Sequence, residues 1–441
     1  MGTIFETGYL WYQDQFVSDY GLFVEDGVIQ DIAPYHALKE KSPAAEVVDM
    51  RRLAVVPGTV NAHNHSFQSL LRGIATDEPF LTWRDQALYR YTPYMDAETL
   101  YAGALLAFGE MLSQGVTTVT DFFYIHNHGT DNDEAIIQAA SDLGIRLVLA
   151  RTMYDWAGAP AFYRESIPEA VEHTDRLIKK YQHHPLVRVH PAPHSPHAAS
   201  PEMIQAGHAL AKKWGTPFHI HVAEEPFEVE EILRDYGKRP VHYLDQLGVL
   251  DDTMIAIHLV WLDDSEVELL GERKVSLAYC PSSNMFLADG VTRIPDLIRT
   301  GVRIGLGSDG GCSNNRVSIF EEMRMAALLQ KVNRLDATCV RASDTFAMGT
   351  KNGGHLLRLP IGSLEPGYAA DFVGIRTDDL SLQPFAPNLL PFHLVYSLQP
   401  SAIERVIVHG KEVVRDGAIQ TVNQEKIRAL VEKAVSKWPS H

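Results

Sequence analysis

The chain has 441 residues, of which 45% are hydrophobic and 22% charged, and a formal net charge of −17. This acidic balance argues against a nucleic-acid or anionic-membrane partner, and no apolar run approaches the ~20 residues that span a bilayer. The three cysteines are too scattered for a disulfide framework, and the N-terminus lacks the basic and apolar regions of a signal peptide. We therefore expect a cytoplasmic protein with one large and one smaller domain.

Residues 1–54 read as short strands separated by turns. Asp26-Gly27 lies between two short apolar runs, and an Asp-Gly pair in that position is a strong hairpin signal. The segment is too small to build a full core alone. We expect it to join another part of the chain.

From about residue 53, short β-branched runs alternate with amphipathic stretches. The predicted strands are 53–60, 116–122, 145–151, 186–191, 217–222, 254–259, 275–280 and 302–307. Several of the intervening stretches begin with helix-capping residues, for example at Ser200 and Asp263. The α/β pattern predicts a (β/α)8 barrel (TIM barrel) over residues 55–360, with a doubly wound open sheet as the alternative. No GxGxxG follows an early strand, which argues against dinucleotide binding.

After residue 360 the strand-rich pattern returns. We predict that residues 361–422 pair with residues 1–54 in a small β-sandwich built from the N- and C-terminal segments. Residues 423–441 are predicted to form a closing C-terminal helix.

Histidines and acidic residues accumulate where the predicted barrel strands end. His63 and His65 stand one residue apart, and i, i+2 side chains of an extended segment share a face. Because active sites of such barrels gather at the carboxyl ends of the strands, we expect these groups to converge. The further residues at such ends are His190, His194, His219, His221, Glu224, His258 and Asp309.

Three imidazoles and one carboxylate with an open position form a catalytic site for zinc or a similar divalent ion, which activates a water molecule at neutral pH. His219 and His221 share a face, but only His221 has an acidic residue, Glu224, three positions later. We therefore assign His221 to the metal and His219 either to packing or to support of the metal ligands. No lysine ends strand four, so one metal ion is predicted rather than a lysine-bridged pair; zinc is favoured and iron stays open.

The motifs PGTVNAHNH, HIHVAEE, AIHLVWLD, CPSSN, GLGSDGGCSN, GSLEPGYAADF and IVHGKEVVRDG resemble those of the amidohydrolase superfamily, within its deaminase and triazine hydrolase group. They run nearly from end to end of the chain. The resemblance implies metal ligands at His63, His65, His221 and Asp309. It also implies that Glu224 moves protons, that His258 polarises the water or the substrate, and that Asp309 accepts the proton of the water.

Several segments resemble the N-formiminoglutamate deiminase branch more closely, among them HSFQ, FLTWR, DFFYIH and GKRP. By that resemblance, substrate contacts are expected from Gln68, Arg84, Tyr124 and His194. Arg84 would then be a bidentate partner for a carboxylate.

One departure bears on the substrate. His197 stands where that branch has a second carboxylate-binding arginine, and an imidazole is a weaker, differently shaped partner for an anion. CPSSN and the Cys312-Ser313-Asn314 segment also look more like the heterocycle deaminases. We expect His197 to face the substrate, and the identity of that substrate stays open between a formimino compound, an amidine and an amino-heterocycle.

The resulting hypothesis is a metal-dependent aminohydrolase that breaks a C–N bond of a small molecule and releases ammonia. If the protein is a different enzyme, the alternative function is hydrolysis of a cyclic amide or of a triazine. If it is not an enzyme, the alternative is a non-catalytic metal-binding barrel. Association into a homo-oligomer stays open, because no interface can be identified in the sequence.

Overall fold

Both ends of the chain contribute to one nine-stranded sheet in the computed structural model, which describes residues 2–127 and 129–439. The N-terminal strands are β1 (Thr3–Tyr12), β2 (Gln15–Ser18), β3 (Tyr20–Glu25), β4 (Val28–Pro34) and β5 (Glu46–Pro57). Eight further strands, β6 to β13, follow before the chain returns to this sheet. The C-terminal strands are β14 (Phe372–Arg376), β15 (Ile403–Val408), β16 (Lys411–Arg415) and β17 (Ala418–Ile419). The predicted association of the two chain ends is confirmed, and their strands pack a second, smaller core.

The predicted hairpin lies between β3 and β4, which pair antiparallel from Tyr20–Pro34 to Glu25–Val28. Asp26 and Gly27 connect them with φ values of 51° and 76°. Two successive left-handed residues match the right-handed twist of the flanking strands, and Asp-Gly tolerates that conformation.

Eight parallel strands form the barrel, as predicted. They are β6 (Thr59–Asn64), β7 (Val116–Phe123), β8 (Arg146–Met153), β9 (Val187–Pro193), β10 (Phe218–Val222), β11 (Met254–His258), β12 (Ser276–Tyr279) and β13 (Arg303–Leu306). They pair within two four-stranded half-sheets, β6 to β9 and β10 to β13. The strands are almost wholly buried, which explains their continuous β-branched runs.

The prediction of one first barrel strand over 53–60 is wrong at its boundary. The apolar run divides at Gly58: β5 pairs antiparallel with β14 in the outer sheet, and β6 begins the barrel at Thr59. A Cβ on Gly58 would lie 2.1 Å from Oγ1 of Thr117, so the close passage between the two sheets requires glycine. The domain limits 1–54 plus 361–422, 55–360 and 423–441 stay predictions, and residues 440 and 441 lie outside the described residues.

Helices alternate with the barrel strands, as predicted. They are α1 (Tyr35–Lys41), α2 (Phe80–Trp83), α3 (Ala97–Ser113), α4 (Asp131–Leu143), α5 (Ile167–Tyr181), α6 (Pro201–Trp214), α7 (Pro226–Tyr236), α8 (Pro240–Gln246), α9 (Asp264–Glu272), α10 (Pro281–Phe286), α11 (Ile294–Arg299), α12 (Ile319–Arg334), α13 (Ala342–Gly349), α14 (Lys351–Leu357), α15 (Leu390–Tyr396) and α16 (Gln424–Val435). The predicted caps are present: Oγ of Ser200 accepts the Met203 N–H at 3.2 Å, and Oδ1 of Asp263 accepts the Glu266 N–H at 2.9 Å. None of the helices in the described parts of the chain is both long and apolar enough to cross a membrane.

A buried ion pair joins the barrel to the outer sheet. Nε and Nη2 of Arg146, on β8, donate to the two carboxylate oxygens of Asp371 at 2.8 and 3.1 Å. Asp371 also accepts the His409 N–H at 2.7 Å. The Asp371 side chain is 1% exposed and the Arg146 side chain is 10% exposed. Because water reaches neither charge well, each depends on the other as its counter-ion.

We predict that Asp371→Ala lowers the free energy of unfolding by about 3–5 kcal/mol, because Arg146 is left buried without its counter-ion. Urea denaturation followed by circular dichroism measures the change. Asp49→Ala is the control, since it breaks the exposed pair with Arg51 and should leave the curve unchanged. Equal shifts in both variants would contradict a special role for the buried pair.

Candidate metal centre and active site

Four predicted metal-binding residues meet at the carboxyl ends of the barrel strands. Nε2 of His63 and Nε2 of His65 each lie 3.4 Å from Oδ1 of Asp309. One ring nitrogen of His221 completes a group with His63 and His65 in which the three atoms lie within 4.8 Å of one another. A second such group is formed by Asp309 with the predicted catalytic residues Glu224 and His258.

The cluster has the chemistry of a divalent-metal site. His63 is fully buried, yet neither of its ring nitrogens makes a hydrogen bond. Burial lowers the pKa of His63 to about 3, so the ring is neutral and keeps a free lone pair. Three neutral imidazoles and a carboxylate form the donor set of catalytic sites for such ions. A divalent metal ion therefore fits these residues.

Backbone carbonyls fix two of the imidazoles. Nδ1 of His65 lies 2.6 Å from the Phe122 carbonyl oxygen, and Nδ1 of His221 lies 3.1 Å from the His194 carbonyl oxygen. An N–H at Nδ1 donates to each carbonyl, which leaves the Nε2 lone pair for a metal ion. The backbone of the barrel thus fixes the orientation of the His65 and His221 rings.

His219 takes a different place from His221 on the same strand. Its Nε2 lies 3.1 Å from Nδ1 of His190, and the two rings stack with centroids 5.3 Å apart. His221 borders the cavity described below, whereas His219 does not. The assignment of His219 to packing or to support of the metal ligands stays a prediction.

Glu224 and His258 stand beside the histidine cluster. Nε2 of His258 lies 3.3 Å from Oε1 of Glu224, and Nδ1 of His258 lies 2.9 Å from Oδ1 of Asn284. Burial raises the pKa of Glu224 well above its ordinary value, and the carboxylates of Asp289, Glu228 and Asp309 raise it further. Glu224 can therefore carry a proton at neutral pH.

Asp309 has the opposite protonation preference. Burial alone would raise its pKa, but the neighbouring imidazoles of His63, His65 and His258 hold the pKa well below its usual range. Asp309 is therefore available as a carboxylate, which can coordinate a cation or accept a proton.

The backbone is strained where His258 and Asp309 enter the site. Their φ values are 70° and 58°, in the left-handed region that non-glycine residues rarely adopt. Hydrogen bonds hold the chain there: the Asp309 N–H donates to the His63 carbonyl at 3.0 Å, and the Leu259 N–H to that of Val222 at 3.1 Å. Strain of this kind is characteristic of functional sites.

Sequence reasoning gave no individual role to Ser283 or Asn284. Oγ of Ser283 donates to Oδ2 of Asp309 at 2.5 Å, and Asn284 orients His258. The available signal was CPSSN, a motif at the end of a barrel strand, but the spacing alone did not indicate which side chains face the site.

A cavity of about 190 Å³ opens next to the cluster. All five predicted substrate residues line it: Gln68, Arg84, Tyr124, His194 and His197. Sequence reasoning missed much of the remaining wall, which is largely aromatic and includes Phe80, Tyr89, Tyr154, Trp156, Tyr163 and Phe227. These side chains come from connecting segments, where no periodic pattern identifies them.

Gln68 is held in one orientation by its neighbours. Its Nε2 donates to the Tyr124 hydroxyl at 3.2 Å, and its Oε1 accepts from Sγ of Cys312 at 3.3 Å. The Trp83 indole N–H in turn donates to the Cys312 carbonyl at 3.0 Å. This chain of contacts ties the segment after β6 to the segment after β13.

A buried ion network supports the aromatic wall. Arg151, which is fully buried on β8, donates to both carboxylate oxygens of Glu165 at 2.8 and 3.0 Å and to Asp133 at 3.2 Å. Burial opposes ionisation of Glu165, but Arg151 prevails and lowers its pKa to about 2. The Glu165 N–H donates to the Tyr154 carbonyl at 3.0 Å, so the network fixes the segment that carries Tyr154 and Tyr163.

Comparison with known proteins identifies relatives along nearly the whole chain. The amidohydrolase family model matches residues 54–413. A 5'-deoxyadenosine deaminase of Methanothermobacter thermautotrophicus is 35% identical over 94% of each chain. A 5-methylthioadenosine/S-adenosylhomocysteine deaminase of Pyrococcus furiosus is 33% identical over 96% of this chain and 98% of its own.

Solved structures share the fold. An adenosine deaminase from Xanthomonas campestris with bound zinc is 28% identical, with a TM-score of 0.88 over 99% of this chain and 98% of its own. An atrazine chlorohydrolase from Arthrobacter aurescens complexed with zinc has a TM-score of 0.91 over 98% of this chain and 100% of its own, at 22% identity, which supports the fold alone. The closer resemblance to N-formiminoglutamate deiminase stays a prediction.

We predict that His221→Asn weakens metal binding by more than ~100-fold, because it removes a ligand rather than an outer partner. His219→Asn is the matched control. His219 lies two residues earlier on the same strand, and this variant should retain the metal. Elemental analysis after dialysis gives the metal content of each variant. Loss of metal from the His219 variant alone would reverse the assignment.

Proposed function

We propose that this chain, which belongs to the amidohydrolase family, is a single-zinc aminohydrolase that hydrolyses the exocyclic C–N bond of an amino-heterocycle and releases ammonia. The observation that carries the proposal is the placement of two acidic residues, Glu224 and Asp309, beside one imidazole cluster at a cavity. A purely structural site needs neither an acid nor a cavity. The deaminase relatives described above support the amino-heterocycle.

We assign the zinc ligands to His63, His65, His221 and Asp309. When bound, the ion would supply Lewis-acid chemistry, which polarises water or a substrate atom at this point. The absence of a lysine at the end of β9, where His190 instead packs on His219, supports one ion rather than a lysine-bridged pair.

Proton transfer falls to Glu224 and Asp309. Asp309 accepts a proton from the attacking water, whose oxygen adds to the ring carbon that carries the amino group. Glu224 delivers a proton to the departing nitrogen, the C–N bond breaks, and ammonia leaves. Their opposite pKa shifts suit these opposite tasks.

His258 is proposed to polarise the reacting centre. Asn284 accepts the N–H at Nδ1, which leaves Nε2 facing Glu224 at 3.3 Å. Gln68, Arg84, Tyr124, His194 and His197 are proposed to contact the substrate, because they border the same cavity. The proposed location is cytoplasmic, which suits three cysteines that form no disulfide among the described residues.

A substrate screen tests the proposal directly. The zinc-loaded protein is incubated with aminopurines, pterins, cytosine, aminotriazines and formimino amino acids, and ammonia is measured. Release from an amino-heterocycle supports the proposal. Release only from formimino compounds, or hydrolysis of a ring amide or carbon–chlorine bond without ammonia, would replace it.

We predict that Glu224→Gln lowers kcat by about 10²–10⁴-fold, because the glutamine amide cannot deliver the proton. Its zinc content should stay unchanged. Glu225→Gln is the control: this carboxylate is adjacent in sequence but does not line the cavity, so its kcat should remain close to that of the wild type. Ammonia release under saturating substrate is the measurement, and full activity of the Glu224 variant would refute the mechanism.

A further inference from the structure

Two polar side chains on the cavity wall have no part in the proposed proton transfers. His197 and Glu228 both line the cavity, with side chains only 16% and 4% exposed. Nδ1 of His197 lies 3.5 Å from Oε1 of Glu228 and makes no hydrogen bond. A buried polar atom without a partner is costly, which indicates a function for this pair.

Glu228 is held firmly in place. Its Oε2 accepts the backbone N–H of Glu224 at 3.0 Å, across the first turn of α7. The phenyl ring of Phe227 packs edge-on against the His197 ring, with centroids 5.8 Å apart. The pair is thus fixed relative to the proposed proton donor Glu224, which precedes Glu228 by four residues.

The pair presents no cation to the cavity. Burial lowers the pKa of His197 to about 4, and the nearby charge of Arg84 lowers it further. Burial also raises the pKa of Glu228 above its ordinary value, with the neighbouring carboxylates of Glu225 and Glu231 raising it too. Around neutral pH this part of the wall can hydrogen-bond but cannot neutralise an anion.

Arg84 does not replace the missing cation. Among the described residues that line the cavity, it is the single lysine or arginine. Its Nε and Nη2 contact Oδ1 of Asp85 at 2.9 and 2.8 Å, and its guanidinium lies 4.7 Å from the centre of the Tyr89 ring. Asp85 thus supplies a counter-ion to Arg84, and Glu231 adds a further carboxylate to the lining.

Resting on the proposed function, we propose that His197 and Glu228 form a specificity pair, which hydrogen-bonds to an uncharged polar edge of a compact amino-heterocycle and discriminates against a substrate that carries a carboxylate. The aromatic wall favours a planar ring. The 190 Å³ of the cavity is below the ~300 Å³ at which pockets for larger ligands begin, which favours a compact one.

Matched ligand pairs test this inference. Zinc-loaded Glu224→Gln protein is titrated calorimetrically with cytosine and 5-carboxycytosine, and with pterin and pterin-6-carboxylate; N-formiminoglutamate is a fifth ligand. We expect at least one neutral heterocycle to bind about tenfold or more tightly than its carboxylated partner. The same titrations with His197→Arg in that background should reduce or invert the ratio, since the arginine supplies a cation. His183→Arg, at an exposed histidine outside the cavity, adds the same charge and should leave the ratio unchanged.

The outcomes separate the two proposals. Equal or tighter binding of a carboxylated ligand, a ratio that His197→Arg leaves unchanged, or no binding of either neutral heterocycle would each overturn the specificity pair. None of these outcomes affects ammonia release by the wild type, on which the proposed function depends. Conversely, a wild-type protein that releases no ammonia from any substrate would remove the proposed function, while the binding ratios would still decide the role of His197.

Discussion

The closure of the barrel between its two half-sheets is the constraint on which the rest of the structure depends. Two backbone hydrogen bonds mark the seams: the His221 N–H donates to the His194 carbonyl at 3.0 Å, and the Asp309 N–H donates to the His63 carbonyl at 3.0 Å. The proposed ligands therefore come from both halves, and the residues that close the barrel also assemble the site. The cluster cannot form in either half-sheet alone, so the geometry of the site requires a closed barrel.

Burial is the common cause of the electrostatics at this site. Exclusion of water lowers the pKa of His63 and raises the pKa of Glu224, because burial disfavours the charged form of each group. Burial acts on Asp309 too, but the imidazoles of His63, His65 and His258 outweigh it and lower the pKa of this carboxyl group.

The barrel and the residues of the cluster were predictable because their signals are local. Buried parallel strands leave continuous β-branched runs, and the end of each run places His63, His221 or Asp309 at one rim. The division at Gly58 was not predictable, since the two strands it separates form one apolar run. The aromatic wall was also missed: Tyr154 and Tyr163 are placed by the Arg151 network, whose contacts join residues 18 and 14 positions apart, beyond the reach of any helix or strand period.

The separation of strands from connecting segments has an evolutionary consequence. The cluster rests on strand termini, whereas the wall around the substrate comes largely from residues between the strands, including His197 and Phe227. Mutations in those connections can therefore accumulate without disturbing the chemistry, and gene duplication could yield paralogues with the same reaction and new substrates. In such paralogues the reaction would be conserved more strongly than the substrate specificity.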